Sequence, residues 1–167
     1  MPLEYNATVT QKIDLADNLF VLKVKPNFEV SDFTPGQFTV LGLKALEKRF
    51  GTHADPKEQK DPEKMIRRSY SILSSPNQKD TIDFYVAYVP EGELTPRLFH
   101  LKNGDPIYIG PKITGRFTLE KVPEEKHLLL VSTGTGLTPY ISMIRSQLKS
   151  NPNRKWIVLH GVREEAD

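Results

Sequence analysis

Length, composition and charge limit the classes of protein to which this sequence can belong. Its 167 residues allow one domain or one and a fraction, and the absence of cysteine excludes disulfides, thiolate nucleophiles and thiolate-bound metal centres. The net charge of +2 is too small to indicate nucleic-acid binding, and with no visible signal peptide or run of roughly 20 apolar residues a cytoplasmic protein is expected.

The first two thirds of the sequence predict short strands. These segments are β-branched or aromatic, and turn residues such as Asp17-Asn18 and Pro35-Gly36 bound them. In segment 81–89 the apolar residues recur at even positions, so one face of that strand should be buried. Short strands at this spacing favour a barrel or a sandwich. The predicted strands are 19–24, 37–43, 70–73, 81–89, 105–109 and 115–119, with a short helix at 95–101.

Segment 44–68 interrupts this pattern. It has few apolar residues, two prolines, and eight lysines and arginines against five acidic residues. A long surface loop is expected. Its positive charge could face an acidic partner, or the segment could be a solvated insertion without a partner.

The pattern changes after Pro123. A continuous apolar run predicts a buried strand at 127–132, and a glycine-rich turn, a helix at 139–149 and a strand at 156–160 follow it. This is a single βαβ unit, whose two strands and one helix leave the faces of the sheet uncovered. We therefore expect a first domain over 1–123, the start of a second over 124–167, and a natural protein that continues past Asp167.

The first motif with chemical meaning is Arg68-Ser69-Tyr70-Ser71. Strand alternation puts Arg68 and Tyr70 on one face and Ser71 on the other. A guanidinium suits a phosphate, a phenol ring offers a flat surface to a heteroaromatic ring, and a hydroxyl can donate to a ring nitrogen. Those are the requirements of a flavin dinucleotide, although the motif alone is also that of an ordinary strand.

Two further motifs precede helices. In the segment 89–98, Thr95 and Pro96 fit an N-cap and a first helical residue, which would leave N–H groups free for a pyrophosphate or simply begin a helix. The turn Thr133-Gly134-Thr135-Gly136 follows a buried strand, where glycines permit close approach of a pyrophosphate. It matches neither a phosphate-loop ATPase nor the full Rossmann fingerprint, and it could be a tight connection only.

In this order the motifs resemble the ferredoxin/flavodoxin–NADP reductase family, bacterial type, from Tyr5 to the end of the chain. The resemblance implies a β-rich α+β fold: a six-stranded antiparallel Greek-key barrel that binds FAD, then the truncated start of a Rossmann-like NADP(H)-binding α/β domain. It implies that Arg68 contacts the pyrophosphate, that Tyr70 packs on the isoalloxazine and that Ser71 lies near its N5, with Tyr70 and Ser71 as the catalytic residues. Further FAD contacts are implied for Tyr85, Val86, Ala87, Val89, Gly92, Leu94 and Thr95.

On the nicotinamide side, the resemblance implies contacts from Thr133, Gly134, Thr135 and Gly136. His160-Gly161-Val162-Arg163 is similar to the bacterial motif that holds the 2′-phosphate of NADP, so Arg163 favours NADP over NAD. The chain departs from the compact bacterial members in the length of its loop 44–66. It also lacks the C-terminal residues that cover the flavin in this family.

The implied activity is electron transfer between NADP(H), which exchanges a hydride, and ferredoxin or flavodoxin, small acidic proteins that exchange single electrons. The protein aligns the reactants, so no dedicated acid–base residue is required. No metal site is predicted, because the spacings of the four histidines suggest no ligand set. The expected state is a monomer without membrane or nucleic-acid partners. Alternatives are a flavin reductase component that feeds an oxygenase or a haem protein, and a non-catalytic β-barrel binding module.

Overall fold

The computed structural model describes residues 4–55 and 61–162. Eight strands and two α-helices are formed in this part of the chain, with a 3-10 helix at Gly134–Leu137. In order they are β1 (Ala7–Ala16), β2 (Leu19–Pro26), β3 (Phe38–Lys44), β4 (Met65–Ser71), β5 (Ile82–Ala87), α1 (Thr95–His100), β6 (Pro106–Ile109), β7 (Leu128–Thr133), α2 (Thr138–Gln147) and β8 (Trp156–Gly161).

Six antiparallel strands form the predicted barrel, in the order β4-β3-β6-β1-β2-β5. The two end strands meet where the amide of Leu73 donates to the carbonyl of Asp83 at 2.8 Å. Apolar side chains fill the interior because alternate residues of each strand point inward. Phe20, Leu22 and Phe84 are fully buried there, each with 0% exposure. The predicted barrel fold is confirmed.

One strand was missed, and one predicted strand is absent. Strand β1 was not predicted, because after Val9 most of its residues are polar or only partly buried and its apolar alternation is short. Segment 115–119 was predicted as a strand, but only Thr114 forms an isolated bridge, to Phe38. The positive φ of Gly115, 138°, turns the chain away from the sheet there.

Strand β4 begins earlier than predicted. Its residues Met65–Ser71 pair in register with β3, from Lys44 opposite Met65 to Phe38 opposite Ser71. The Arg-Ser-Tyr-Ser motif therefore ends this strand instead of beginning one, and the expected surface loop 44–68 is shorter. Ile66, which is 4% exposed, supplies the apolar anchor of the strand.

The α/β unit has the predicted order of strand, turn, helix and strand. Strands β7 and β8 are parallel, with Leu129 opposite Ile157 and Val131 opposite Leu159. These four side chains lie on one face and are each more than half exposed. The apolar run suits a strand covered on both faces, and within the described residues only one face is covered, as expected of a single βαβ unit.

Helix α2 docks on the barrel through small polar residues. The hydroxyl of Ser142 donates to the carbonyl of Ser74 at 2.7 Å, and that of Ser146 donates to the hydroxyl of Ser75 at 3.1 Å. Leu148, which lies within the helix predicted at 139–149, is 52% exposed. The contacts from Ser142, in the middle of the helix, and from Ser146, near its end, fix the helix against the barrel.

Gly36 provides a direct test of this docking. Its φ of +99° favours glycine, and a Cβ there would lie 1.9 Å from the carbonyl oxygen of Phe117 and 2.7 Å from Cε of Met143 in α2. We expect Gly36→Ala to lower the free energy of unfolding by about 2–5 kcal/mol through strain and overpacking. The matched control is Gly104→Ala: its φ is +94° but nothing lies within 4 Å of the added Cβ. Equal losses in urea unfolding would show that the close approach at Gly36 costs nothing.

Candidate functional site

The barrel has an incomplete seam between β4 and β5. No ladder joins these strands, and in residues 4–55 and 61–162 the bond from Leu73 to Asp83 is the only backbone hydrogen bond between the two edges. The next link is an ion pair between the guanidinium of Arg68 and the carboxylate of Glu93, in the loop that follows β5. Strand edges without a partner strand must bond water or a ligand. The β4–β5 seam, bounded by Leu73–Asp83 and Arg68–Glu93, is therefore a natural place for an elongated ligand.

Tyr70 lies on the β4 edge of this seam. It has the same parity as the buried Ile66 and Ile72, and its ring packs partly against the core. Burial raises the pKa of its hydroxyl to about 12, although the charge of Arg68 acts in the opposite direction. The phenol therefore stays neutral, and this half-buried side chain offers a ligand the face of its ring and no charge.

The hydroxyl groups of three predicted contact residues differ in their hydrogen bonding from the hydroxyls that stabilise the fold. In the described part of the chain, the side-chain hydroxyls of Ser71, Thr133 and Thr135 have no hydrogen-bond partner. Thr39 and Thr138, by contrast, donate to backbone carbonyls at 2.7 Å, that is, to Gly110 and Thr135 respectively. The free hydroxyls are available to a ligand or to water.

Strand β5 has the buried face that alternation predicted, although Asp83 on the opposite face is also buried, with 3% exposure. Ile82, Phe84 and Val86 are buried, whereas Tyr85 and Ala87 are partly exposed. Val89 lies just beyond the strand and is 46% exposed. Because the side chains of Val86 and of the predicted contact Leu94, 2% exposed, are buried, only their backbone could touch a ligand.

The loop after β5 is closed by Thr95. Its hydroxyl donates to the carbonyl of Val89 at 3.0 Å and accepts from the amide of Val89 at 3.1 Å. A Cβ at Gly92 would lie 2.9 Å from this hydroxyl oxygen, so the turn requires glycine. The prediction that Thr95 is an N-cap is wrong: it is the first residue of α1, the N-cap is Leu94, and no side chain caps the helix. Its hydroxyl is already committed to Val89 and therefore cannot bond the helix amides.

The glycine turn faces β5. Tyr85 of the strand lines one groove of about 420 Å³ with Leu137 and Thr138, the two residues that follow the turn and begin α2. Gly134 has a φ of +49°, which favours glycine for conformational reasons, whereas a Cβ at Gly136 would meet only Cβ of Ser132 at 3.7 Å. The fold therefore has room for a side chain at Gly136, and a ligand that approaches the exposed turn closely would explain the glycine there.

The most buried charged group near the seam was not predicted. Arg97 is 2% exposed and donates to both carboxylate oxygens of Asp55, at 2.8 and 2.9 Å. Its other partners are the carbonyls of Glu93 at 2.7 Å and Ala45 at 2.6 Å. The hydrogen bonds from Arg97 lower the pKa of the Asp55 carboxyl below its usual value. No short-range signal could find this pair, because its members are 42 positions apart; an arginine between Pro96 and Leu98 was the only hint.

The remaining predicted contact, Arg163, lies outside the described residues. No helix in residues 4–55 and 61–162 has the length and apolar character needed to cross a membrane.

Comparison with known proteins identifies both parts of the chain. Residues 44–118 match the family model described as an oxidoreductase FAD-binding domain, and residues 130–167 match an oxidoreductase NAD-binding domain. A flavodoxin/ferredoxin–NADP reductase of Buchnera aphidicola subsp. Baizongia pistaciae is 36% identical over 166 residues, which are 97% of this chain and 59% of the relative. The chain thus spans less than two thirds of the length of this curated relative.

Solved structures share the fold. A ferredoxin NADP+ reductase from Neisseria gonorrhoeae with bound FAD and NADP is similar over 96% of this chain and 58% of its own, with a TM-score of 0.77 and 21% identity. An Amycolatopsis cytochrome P450 reductase is similar over 97% of this chain and 44% of its own, with a TM-score of 0.75 and 26% identity. Residues 44–118 and 130–167 are thus similar to oxidoreductase FAD-binding and NAD-binding domains, and nearly the whole chain is similar to part of a flavodoxin/ferredoxin–NADP reductase.

Proposed function

We propose that this chain binds FAD along the β4–β5 seam and that the complete enzyme transfers electrons between NADP(H) and ferredoxin or flavodoxin. The observation that carries the proposal is the arrangement of the seam. The Arg68–Ser71 edge, the Tyr85–Ala87 edge and the Val89–Thr95 loop surround one unpaired stretch of barrel, and the glycine turn faces β5. The names of the relatives support the choice of substrates.

The residues at the seam fit an elongated dinucleotide. Tyr70 offers a half-buried ring to a flat heterocycle, and the free hydroxyl of Ser71 can donate to a ring nitrogen. Arg68 is half exposed and carries the charge for a pyrophosphate, which would have to share the guanidinium with Glu93 or displace this carboxylate. The Tyr85–Ala87 edge and the Val89–Thr95 loop would lie along the ribityl chain and adenosine.

On the nicotinamide side, the residues fit a close approach of a second nucleotide. We assign Thr133, Gly134, Thr135 and Gly136 to this ligand, because the turn is exposed and its threonine hydroxyls have no partner in the described residues. FAD, when bound, exchanges a hydride with nicotinamide and single electrons with a one-electron carrier. The role of this chain is to orient the two rings and to exclude water from their contact.

The domain boundary belongs to the same proposal. Residues 1–123 would form the FAD-binding domain and residues 124–167 the start of the NADP(H)-binding domain, with α2 docked on Ser74 and Ser75. A cytoplasmic monomer without membrane or nucleic-acid partners completes the proposal.

A reductase component that feeds an oxygenase or a haem protein is the second candidate. The similarity to a cytochrome P450 reductase favours it, whereas the higher identity to flavodoxin/ferredoxin–NADP reductases favours the first. A binding module without catalysis would leave the seam and the free hydroxyls without a role. A colourless preparation that binds nucleic acid would support that third alternative.

The complete enzyme, supplied with NADPH, tests the choice between the first two candidates. We expect reduction of ferredoxin or flavodoxin in stopped-flow measurements. Rapid reduction of a haem or oxygenase partner with neither of these carriers reduced would instead support the second candidate.

Arg163 provides a test of cofactor choice. A contact between its guanidinium and a ribose 2′-phosphate would contribute roughly 1.5–3 kcal/mol, about tenfold to 150-fold in affinity. In the complete enzyme we expect Arg163→Ala to raise KM for NADPH and to leave KM for NADH nearly unchanged. Equal changes in KM for both cofactors would show that other residues determine the choice between NADPH and NADH. Arg163 would then form only a weak surface ion pair.

A further inference from the structure

Part of the segment between β3 and β4 folds onto the loop that follows β5. We call residues 49–55 the clasp. The guanidinium of Arg49 donates to the carbonyl of Gly92 at 2.8 Å and to that of Pro90 at 3.0 Å. The hydroxyl of Tyr88 donates to the carbonyl of Phe50 at 3.3 Å. The clasp thus bonds the backbone of the loop directly.

Asp55 joins the clasp to helix α1. It accepts from Arg49 at 2.7 Å and from Arg97 at 2.8 and 2.9 Å, and Arg97 also bonds the carbonyl of Glu93. Three carbonyls of the loop, those of Pro90, Gly92 and Glu93, are therefore held by two arginines that share one carboxylate. The carboxylate itself is largely shielded, with 23% exposure, and the side chain of Arg49 is 12% exposed.

An aromatic contact fixes the other end of the clasp. The ring of Phe50 lies 4.6 Å from that of Phe99 and 5.7 Å from that of Tyr88. Gly51, with a φ of +82°, lets the chain pass close by, because a Cβ there would be 2.6 Å from the hydroxyl oxygen of Tyr88. The sequence predicted a solvated, positively charged loop here, but the described charges of Arg49 and Asp55 are used within the fold.

We propose that the clasp positions the loop after β5 for the adenosine–pyrophosphate half of FAD. Arg49 and Asp55 would then set the preference of the chain for FAD over FMN. This inference rests on the proposed function, which places that half of FAD on the loop. FMN ends at its single phosphate and has no adenosine to contact the loop.

The physical reason is preorganisation. Without the clasp, the carbonyls of Pro90 and Gly92 lose the guanidinium of Arg49. Arg97, which bonds the carbonyl of Glu93, loses its carboxylate partner Asp55, and the loop can adopt other conformations. Binding of the adenosine half must then order the loop again, at a cost in affinity. The Tyr70 and Ser71 region on β4 is held by its ladder with β3 and does not depend on the clasp.

The test compares Kd for FAD and for FMN, measured by flavin fluorescence on the 167-residue chain. We expect Asp55→Asn to raise Kd for FAD about tenfold and to change Kd for FMN by less than about twofold, the loss corresponding to charge-assisted bonds. Asp55→Asn also removes the carboxylate that pairs with the buried Arg97. Arg49→Gln therefore serves as a milder second variant, which we also expect to raise Kd for FAD. The matched control is Asp32→Asn, which removes an exposed ion pair with Lys79 elsewhere on the surface and should change neither Kd.

Thermal unfolding without ligand separates loss of stability from loss of preference. If Arg49→Gln and folded Asp55→Asn keep the wild-type ratio of the two dissociation constants, the clasp inference is overturned while the proposed function stands. If the wild-type chain binds neither flavin, the proposed function fails and the clasp inference fails with it.

Discussion

Arg97→Met is expected to lower the free energy of unfolding by about 3–5 kcal/mol, because it removes one member of a buried ion pair. Among the described residues, Asp55 would keep only Arg49 as a cationic partner, and the carbonyls of Glu93 and Ala45 would lose a charged donor. Methionine fills a similar volume, so the loss would come from the unsatisfied polar groups and not from a cavity. Urea unfolding followed by far-ultraviolet circular dichroism measures it.

The control for this variant is Arg145→Met. Arg145 is also a helical arginine near an aspartate, but its side chain is 48% exposed and lies 3.9 Å from Asp83. We expect its loss to cost less than about 1 kcal/mol. If the two variants unfold at the same urea concentration, the pair of Arg97 and Asp55 does not contribute to stability as the contacts indicate.

Tyr70→Ala is expected to weaken FAD binding by about 1–3 kcal/mol, or roughly fivefold to 150-fold in Kd, because it removes the ring surface at the β4 edge of the seam. The magnitude follows from the stacking of bases on aromatic side chains. Titration of the chain with FAD, followed by quenching of flavin fluorescence, measures the change.

Tyr70→Phe separates the ring from its hydroxyl. The hydroxyl makes no hydrogen bond with other described residues, and the raised pKa keeps it neutral, so phenylalanine should bind FAD about as well as tyrosine. An alanine variant with wild-type affinity would remove Tyr70 from the flavin site. A phenylalanine variant as weak as alanine would shift the role from the ring to the hydroxyl.

Patterns of short range predicted the parts of the fold that depend on local sequence. Alternation of apolar residues predicted the buried face of β5. A glycine turn between an apolar run and a segment with helical spacing predicted the βαβ unit. Both signals lie within a few neighbouring residues. Strand β1 was missed because its outward residues are mixed in polarity. Its pairing with β2 and β6 stabilises the strand. Segment 115–119 was wrongly predicted as a strand because Phe117 and Leu119 follow the alternation of a strand. The positive φ of Gly115 interrupts the extended backbone there.

The charged contacts could not be predicted in the same way. Segment 44–68 has the composition of a solvated loop, and nothing near Asp55 indicates that it faces Arg97. Such a pair forms only once the barrel has brought α1 beside the segment. Arg68 shows the same limit: its motif predicted a phosphate contact, whereas its partner in the structure is Glu93. The assignment of Arg68 to the pyrophosphate stays a prediction.

Binding of FAD to the chain tests the central claim most directly. The β4–β5 seam lies within the barrel and its adjoining loop, so the 167-residue chain should bind FAD without the rest of the enzyme. After incubation with excess FAD and gel filtration, we expect a yellow protein that carries one flavin per chain, and Tyr70→Ala should retain less. A chain that elutes colourless, with no change in flavin fluorescence on titration, would contradict the account.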